Sequence, residues 1–259
     1  MTEKRVQAAV LLIGDELLSG RTQDVNLQTI SKFMAPLGVQ IAEARIVADV
    51  PEEIVAAVNE LRVKYDYVFT TGGIGPTHDD KTADAIAMAC GVGIDVHPEA
   101  RAILEAHYKG PGNLNEARLR MARVPIGGSL VPNPVSKAPG FQIENVFVMA
   151  GVPSIMRGML EGVGPRIKGG AVVRSRAVRG KGVREGDIAK GLEALEMATN
   201  GAVTFGSYPW FGPEGYGLHL VARSADPTAL ERAGDDLKAL IRACGAEPEE
   251  VTESDPPRN

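Results

Sequence analysis

The sequence predicts an α/β protein: a three-layer α/β/α domain around a mostly parallel sheet, followed by a small α+β domain. Three observations carry this reading. Apolar strand-like runs alternate with amphipathic helical stretches along the first part of the chain, the pattern of a parallel sheet covered on both faces. Gly and Pro then cluster in "GVGPRIKGG" (residues 162–170), which marks a domain boundary. Beyond it the order of elements changes to βαββα. The expected domains are residues 1–168 and 171–246, with 247–259 as an acidic tail.

In chain order, "QAAVLLIG" reads as a buried strand, and "NLQTISKFMAPLG" brings Leu27, Ile30, Phe33, Met34 and Leu37 onto one helical face. The strand "VQIAEARIVA" alternates, and "DVPEEIVAAVNELRV" reads as a helix with Asp49 as a candidate N-cap, Pro51 in the first turn and Glu52 at the capping-box position. "YDYVFTT" is the third strand. After a glycine loop come helices "TADAIAMACG", "PEARAILEAHY" and "NLNEARLRMARV", then strands "SLVPN" and "NVFVMAG" on either side of the loop "NPVSKAPGF", then the helix "VPSIMRGMLEGV". The second domain reads as strand "AVVRSRAVRG", helix "EGDIAKGLEALEMAT", strands "AVTFGSY" and "YGLHLVAR" joined by an aromatic loop, and helix "PTALERAGDDLKALIRACG".

Bulk composition narrows the function. The 259 residues are 44% hydrophobic, enough for a real core, and no apolar run approaches the roughly 20 residues of a membrane span. No leader pattern opens the chain, so a cytoplasmic protein is expected. Cys90 and Cys244 lie far apart in Ala-rich helical contexts without metal spacing, which suits space-filling thiols. Of the net charge of −5, the last thirteen residues carry about −4. They lack hydrophobic periodicity and are expected to be disordered. The remainder is nearly neutral, which disfavours a dedicated nucleic-acid binder.

The chemistry concentrates in "YVFTTGGIGPTHDDKT" (residues 67–82). A strand runs into Thr71, Gly72, Gly73, Ile74, Gly75, Pro76 and Thr77, and a helix opens near Asp80 or Thr82. Glycines bring backbone close to a ligand, and a helix N-terminus offers unsatisfied N–H groups, so the turn is an anion cradle. It is neither a Walker loop nor G-x-G-x-x-G, because His78 stands at the third glycine position. Asp79 and Asp80 conflict with an anion unless one of them caps the helix or a cation intervenes. A carboxylate about 4 Å from a phosphate oxygen is repelled by a few kcal/mol at an effective dielectric near 20. Magnesium held by one or two carboxylates and substrate phosphates reverses that sign.

Ligands of parallel sheets lie beyond the carboxyl ends of the strands. There the sequence also places Asp15, Glu16, Ser19 and Asn26, then Asp49, then Gly151, Pro153 and Ser154. Glu16 reads equally as an exposed turn carboxylate and Asp49 as a helix cap. Of the four histidines only His78 falls within the loop, so it alone is a candidate substrate contact.

These residues resemble a known family. "TTGGIGPTHDDKT" is similar to the TGG-x-GP-x-x-DD-x-T signature of the MoaB/MogA molybdopterin-binding domain as it occurs in CinA, the competence/damage-inducible protein A family. "IGDELLSGRTQDVN", "NPVSKAPGF" and "AGVPSIM" resemble its other motifs, and "GSYPWFGPEGYGLHLVAR" resembles its KH-like segment. The resemblance implies an oligomer, a dimer or trimer. It also implies Asp80 and Asp49 as the signature acids with Glu16 assisting, and a divalent ion (Mg, Mn or Co, with potassium in some relatives) on Asp80, Asp79 and Glu16. Thr71, Gly72, Gly73, Gly75 and Thr82 match the family's phosphate-binding loop, and Pro76, Thr77, His78, Asn26, Lys137, Gly140, Gly151, Pro153 and Ser154 are further candidate phosphate contacts.

The implied activity is pyrophosphohydrolysis of ADP-ribose or FAD, and the alternative is molybdopterin binding with adenylylation. Asp15 departs from the family threonine, and Ser136-Lys137 replaces Gly-Thr, so Lys137 reads either as a phosphate contact or as solvated loop charge. The amidase domain of many CinA proteins, and its activity, are expected to be absent. A non-catalytic nucleic-acid role, suggested by Arg174, Arg176, Arg179, Lys181, Arg184 and Lys190, is disfavoured because "RGKGVREG" lacks the GxxG spacing of a KH clamp.

Overall fold

The computed structural model describes residues 5–110, 112–213 and 215–252. Contacts divide the chain into two units, Met1–Ala171 and Val172–Asn259. In the first, β1 (Val6–Ile13), a short helix α1 (Asp15–Leu18), α2 (Asn26–Met34), β2 (Val39–Val47), α3 (Pro51–Lys64) and β3 (Tyr67–Thr71) lead to the glycine loop. After it come α4 (Thr82–Cys90), β4 (Ile94–Val96), α5 (Pro98–His107), α6 (Glu116–Leu119), β5 (Arg123–Pro125), β6 (Ser129–Val131), β7 (Gly140–Ile143), β8 (Val146–Met149) and α7 (Pro153–Val163). The main sheet has the order β2-β1-β3-β8-β7-β6. Its first three pairings are parallel and the β8-β7 and β7-β6 pairings antiparallel.

Strand β1 explains the three layers. All its residues but Gln7 are buried, as a strand covered on both faces must be. Ala9, Leu11 and Ile13 pack with Ile54, Val58 and Leu61 of α3 and Ile86 of α4. Val6, Ala8, Val10 and Leu12 point the other way onto Ile30 and Met34 of α2 and Met156, Met159 and Leu160 of α7. Each fully buried leucine here contributes about 1.5–3 kcal/mol relative to exposure. The strands β1, β2, β3 and β8 all end on one edge, where the loops carrying Asp15, Asp49, Gly72 and Gly151 follow.

Several local expectations change. Val50, not Asp49, is the N-cap of α3, and Lys81, not an aspartate, is the N-cap of α4, neither with a side-chain cap bond. The segment expected as one helix from Asn113 is cut to α6 and a 3₁₀ turn, Arg120–Ala122. The short strands β4, β5 and β7 were not foreseen; each has three or four residues, too few for periodicity to register.

The second unit is β9 (Arg174–Lys181), α8 (Glu185–Ala198), β10 (Thr204–Gly212), β11 (Gly215–Ser224), α9 (Pro227–Ala243) and β12 (Pro248–Val251), with sheet order β10-β11-β9-β12. The aromatic stretch Tyr208–Phe211 lies inside β10 rather than in a connecting loop. The expectation of a disordered tail from residue 247 is corrected: Pro248–Val251 pairs antiparallel with β9. Glu250 there meets Lys238 at 2.5 Å and Arg176 at 2.8 Å, so its exposed charge is paired with two cations. The last part of that expected tail, residues 253–259, lies outside the described residues. No helix among the described residues is long and apolar enough to cross a membrane.

Candidate functional site

The glycine loop is forced by close backbone approach. Gly72 has φ 107°, and a Cβ on it would stand 2.0 Å from the Ile13 carbonyl oxygen. Gly73 has φ 63°, and a Cβ there would meet Thr82 Oγ1 at 2.2 Å. Both lie in the left-handed region that glycine alone adopts cheaply. The Gly72 N–H donates to Met149 O at 3.1 Å and the Thr82 N–H to Gly73 O at 3.0 Å, pinning the turn between β8 and α4.

Asp80 does something other than the sequence suggested. Its Oδ1 accepts from the Gly75 N–H at 2.6 Å, and its Oδ2 from the Thr77 N–H at 2.8 Å and Thr77 Oγ1 at 2.5 Å. The carboxylate is turned into its own loop because that tight turn exposes N–H groups which need acceptors. In this arrangement both Asp80 carboxylate oxygens clasp the loop. Asp79 is exposed, and a bond from the Thr77 hydroxyl and then from its own backbone N–H holds its carboxyl below the usual range.

The acids that do confront one another belong to three different loops. Asp49 Oδ2 accepts from the Asp15 N–H at 3.0 Å, and Asp15 Oδ1 from the Asp49 N–H at 3.4 Å. Glu16 folds back over Gly14, so that a Cβ on Gly14 would lie 2.7 Å from its carboxylate oxygens. Burial first pushes the Asp49 carboxyl above its ordinary value, and the charges of Asp15, Glu16 and Asp79 push it further, against the single Asp15 N–H bond. Asp49 Oδ1 also flanks Gly73.

Two small cavities flank the loop. One, of about 50 Å³, is lined by Glu16, Asp24, Asn26, Thr71, Gly151 and Pro153 among others. Asn26 is buried and donates through Nδ2 to Gly151 O at 2.7 Å and to Thr71 Oγ1 at 3.5 Å. The other, of about 20 Å³, is a cleft between Gly73, Ile74, Gly75, Asp80, Arg120, Pro139 and Phe141. Three buried oxygens at this sheet end, Asn26 Oδ1, Thr70 Oγ1 and Thr82 Oγ1, have no hydrogen-bond partner.

Glu16, Asn26, Asp49, Thr71, Gly72, Gly73, Gly75, Asp79, Asp80, Thr82, Gly151 and Pro153 are therefore brought to one edge. The remaining expected residues differ in exposure and bonding. The His78 side chain is 98% exposed, and its ring faces Asp79. Pro76 and Ser154 are exposed, and Thr77 donates its N–H to Asp80 and shares its hydroxyl between Asp79 and Asp80. Lys137, at φ 68°, donates Nζ to Pro134 O at 2.9 Å, which favours loop charge over a phosphate contact. Gly140 sits inside β7, where a Cβ would lie 2.2 Å from Val148 O. Close packing against Val148 and Met159 there requires glycine.

Sequence reasoning missed two residues. Buried Asn133 accepts from the N–H groups of Val135 and Ser136 and donates to Ser136 Oγ and Ala138 O, organising the loop before β7. An Asn-Pro turn signal could have found it. Arg120 left no usable local signal.

The comparisons with known proteins follow this geometry. The family described as "Probable molybdopterin binding domain" matches residues 9–169, and "FAD synthase, middle domain" matches residues 181–250. A solved structure of CinA from Thermoplasma acidophilum, itself of unknown function, superposes with a TM-score of 0.59 at 31% identity, covering 63% of this chain and 99% of that one. This chain belongs to the CinA-like proteins built on a MoaB/MogA-type molybdopterin-binding domain. A CinA-like protein of Citrifermentans bemidjiense is 36% identical over 92% of this chain and 59% of its own length. A Pyrobaculum calidifontis protein is 36% identical over 90% of this chain and 94% of its own length. The chain thus spans well under two thirds of the CinA-like relative but nearly all of the archaeal one.

Among the described residues no three His, Cys, Asp or Glu form a ready-made metal cage. Asp49, Asp15 and Glu16 make an acidic wall at this edge.

Proposed function

We propose that this CinA-like protein is a divalent-metal-dependent pyrophosphohydrolase of a nucleotide diphosphate compound such as ADP-ribose or FAD. The observation that carries the reading is the gathering of Asp49, Asp15 and Glu16 beside the glycine turn at the end of the sheet, where Asp49 and Asp15 exchange backbone bonds and burial with neighbouring acids pushes the Asp49 carboxyl above its ordinary value. Like charges gathered without a cation cost stability in the free protein, and a phosphate-bound magnesium, manganese or cobalt ion would relieve that cost. When bound, such an ion supplies polarisation of a phosphoryl oxygen and activation of a water.

The chain's own groups would divide the remaining work. Asp49 and Glu16 present carboxylate oxygens to the cation, with Asp15 oriented by its reciprocal bonds to Asp49. The Gly73–Gly75 backbone lies against the diphosphate, and Asp80 keeps that backbone in shape. Thr82 Oγ1, buried and unpartnered under Gly73, is an unused hydroxyl for a ligand oxygen or an ordered water. Incubating purified protein with ADP-ribose or FAD and each metal, and measuring AMP, tests this. Metal-dependent AMP release is expected, and none with any metal would discard hydrolysis.

The match to a molybdopterin-binding domain over residues 9–169 favours one second reading, pterin binding with adenylylation at the same loop. Retention of molybdopterin without AMP release would select it. Potassium dependence, a homo-oligomer, a cytoplasmic setting and the KH-like character of the second unit remain parts of the proposal. Nucleic-acid binding is disfavoured further: Arg176 is paired with Glu231 and Glu250, and Arg179 stacks 3.9 Å from the Trp210 ring centroid.

A further inference from the structure

The geometry points to Arg120 as the side chain that grips a phosphoryl group of the ligand, in the cleft beside the glycine loop. Two arginines stand three residues apart on this edge and differ in kind. Arg123 is neutralised: its Nη1 and Nη2 donate to the two carboxylate oxygens of Asp84 at 3.0 and 2.6 Å. Arg120, half-buried at the start of its 3₁₀ turn, makes no ion pair among the described residues. Its one side-chain hydrogen bond there runs from Nη2 to the Asp80 carbonyl oxygen at 3.2 Å.

Two acids line the cleft, and both are engaged elsewhere: the Asp80 carboxylate by Gly75 and Thr77, the Asp84 carboxylate by Arg123. A guanidinium has five donors in a fixed fork, so most of this one's donors remain for something that is not protein. The cleft it shares with Gly73, Gly75 and Asp80 has a volume of about 20 Å³, room for about one water-sized oxygen. That excludes a base or sugar and suits one oxygen of a phosphate whose remainder lies over the rim. Arginine forks match phosphate oxygens in geometry and charge. A partly desolvated, unpaired cation is costly, and an anionic ligand offsets that cost. Asp80 then has a double part, its carboxylate shaping the loop and its carbonyl aiming Arg120.

This inference rests on the reading of the loop as a diphosphate site, and the two can fail separately. The test is calorimetric titration of inorganic pyrophosphate with magnesium into the wild-type chain, Arg120→Gln and Arg120→Lys, alongside melting temperatures and the KM and kcat for ADP-ribose. Arg120→Gln keeps a donor for Asp80 but loses the charge, and it should weaken pyrophosphate binding by about tenfold or more at an unchanged melting temperature. Arg120→Lys should fall between it and the wild type. Should Arg120→Gln not fold, the lysine variant carries the test alone, and wild-type affinity in it overturns the assignment. Equal binding by the glutamine variant, or no pyrophosphate binding by the wild type, does the same. Arg120-dependent binding without AMP release keeps the phosphate contact and removes hydrolysis. AMP release that Arg120→Gln leaves unaltered removes Arg120 and keeps hydrolysis.

Discussion

The acidic groups at the end of the main sheet and those on β12 of the second unit are treated in opposite ways. On β12, Glu250 is held below the usual carboxylate range by the Lys238 ammonium and then by Arg176. At the sheet end, Asp49 is raised by burial and by three neighbouring acids, and no cation pairs with it among the described residues. The signs of their pH dependence are therefore opposite. Glu250 contributes stability that is present above its unfolded pKa and lost as pH falls through its folded value. Asp49 favours its protonated form in the fold, so its ionisation costs stability that appears as pH rises through the ordinary carboxylate range. One region is arranged for structure, and the other keeps an unfavourable charge that structure alone does not need.

The largest expected effect that sharpens this contrast is on turnover. Asp49→Asn should lower metal-dependent AMP release by at least about 100-fold. It should also raise the melting temperature at pH 7, with the gain closing as pH falls below the carboxylate range; a stability loss at pH 7 would break the comparison. Next in size, Gly72→Ala should destabilise by about 3 kcal/mol in denaturant unfolding, since it combines positive φ with a collision against the Ile13 carbonyl. Asn26→Ala should cost about 1–3 kcal/mol by leaving Gly151 O without its buried donor. The smallest effect belongs to Glu250→Gln, a slight fall in melting temperature that disappears in acid and in high salt.

The layering and the glycine turn were legible because both are written locally. Two-faced burial shows as the unbroken apolar run of β1, and Gly72-Gly73 shows where the chain must turn under positive φ. The role of Asp80 was not legible. An aspartate beside a glycine loop can face a metal or the loop's own N–H groups, and only the turn geometry that aims Gly75 N at Oδ1 decides between them. For Asp49 the sequence left cap and site acid both open, and the bond that decides against the cap, from the Asp15 N–H, comes from a segment remote in sequence. Strand β12 escaped notice for a related reason: its polar sequence has no pattern of its own and is held by the β9 edge and by cations remote in sequence. Arg120 was invisible for want of a local pattern altogether.

The central claim is that the wall formed by Asp49, Glu16 and Asp15 takes a cation together with a diphosphate. Manganese uptake followed by electron paramagnetic resonance, with and without inorganic pyrophosphate, tests it most directly. The wild-type chain should bind manganese tightly only when pyrophosphate is present, and the double variant Asp49→Asn, Glu16→Gln should lose that uptake. Equal uptake by the two proteins, or none by the wild type with pyrophosphate, would contradict the account.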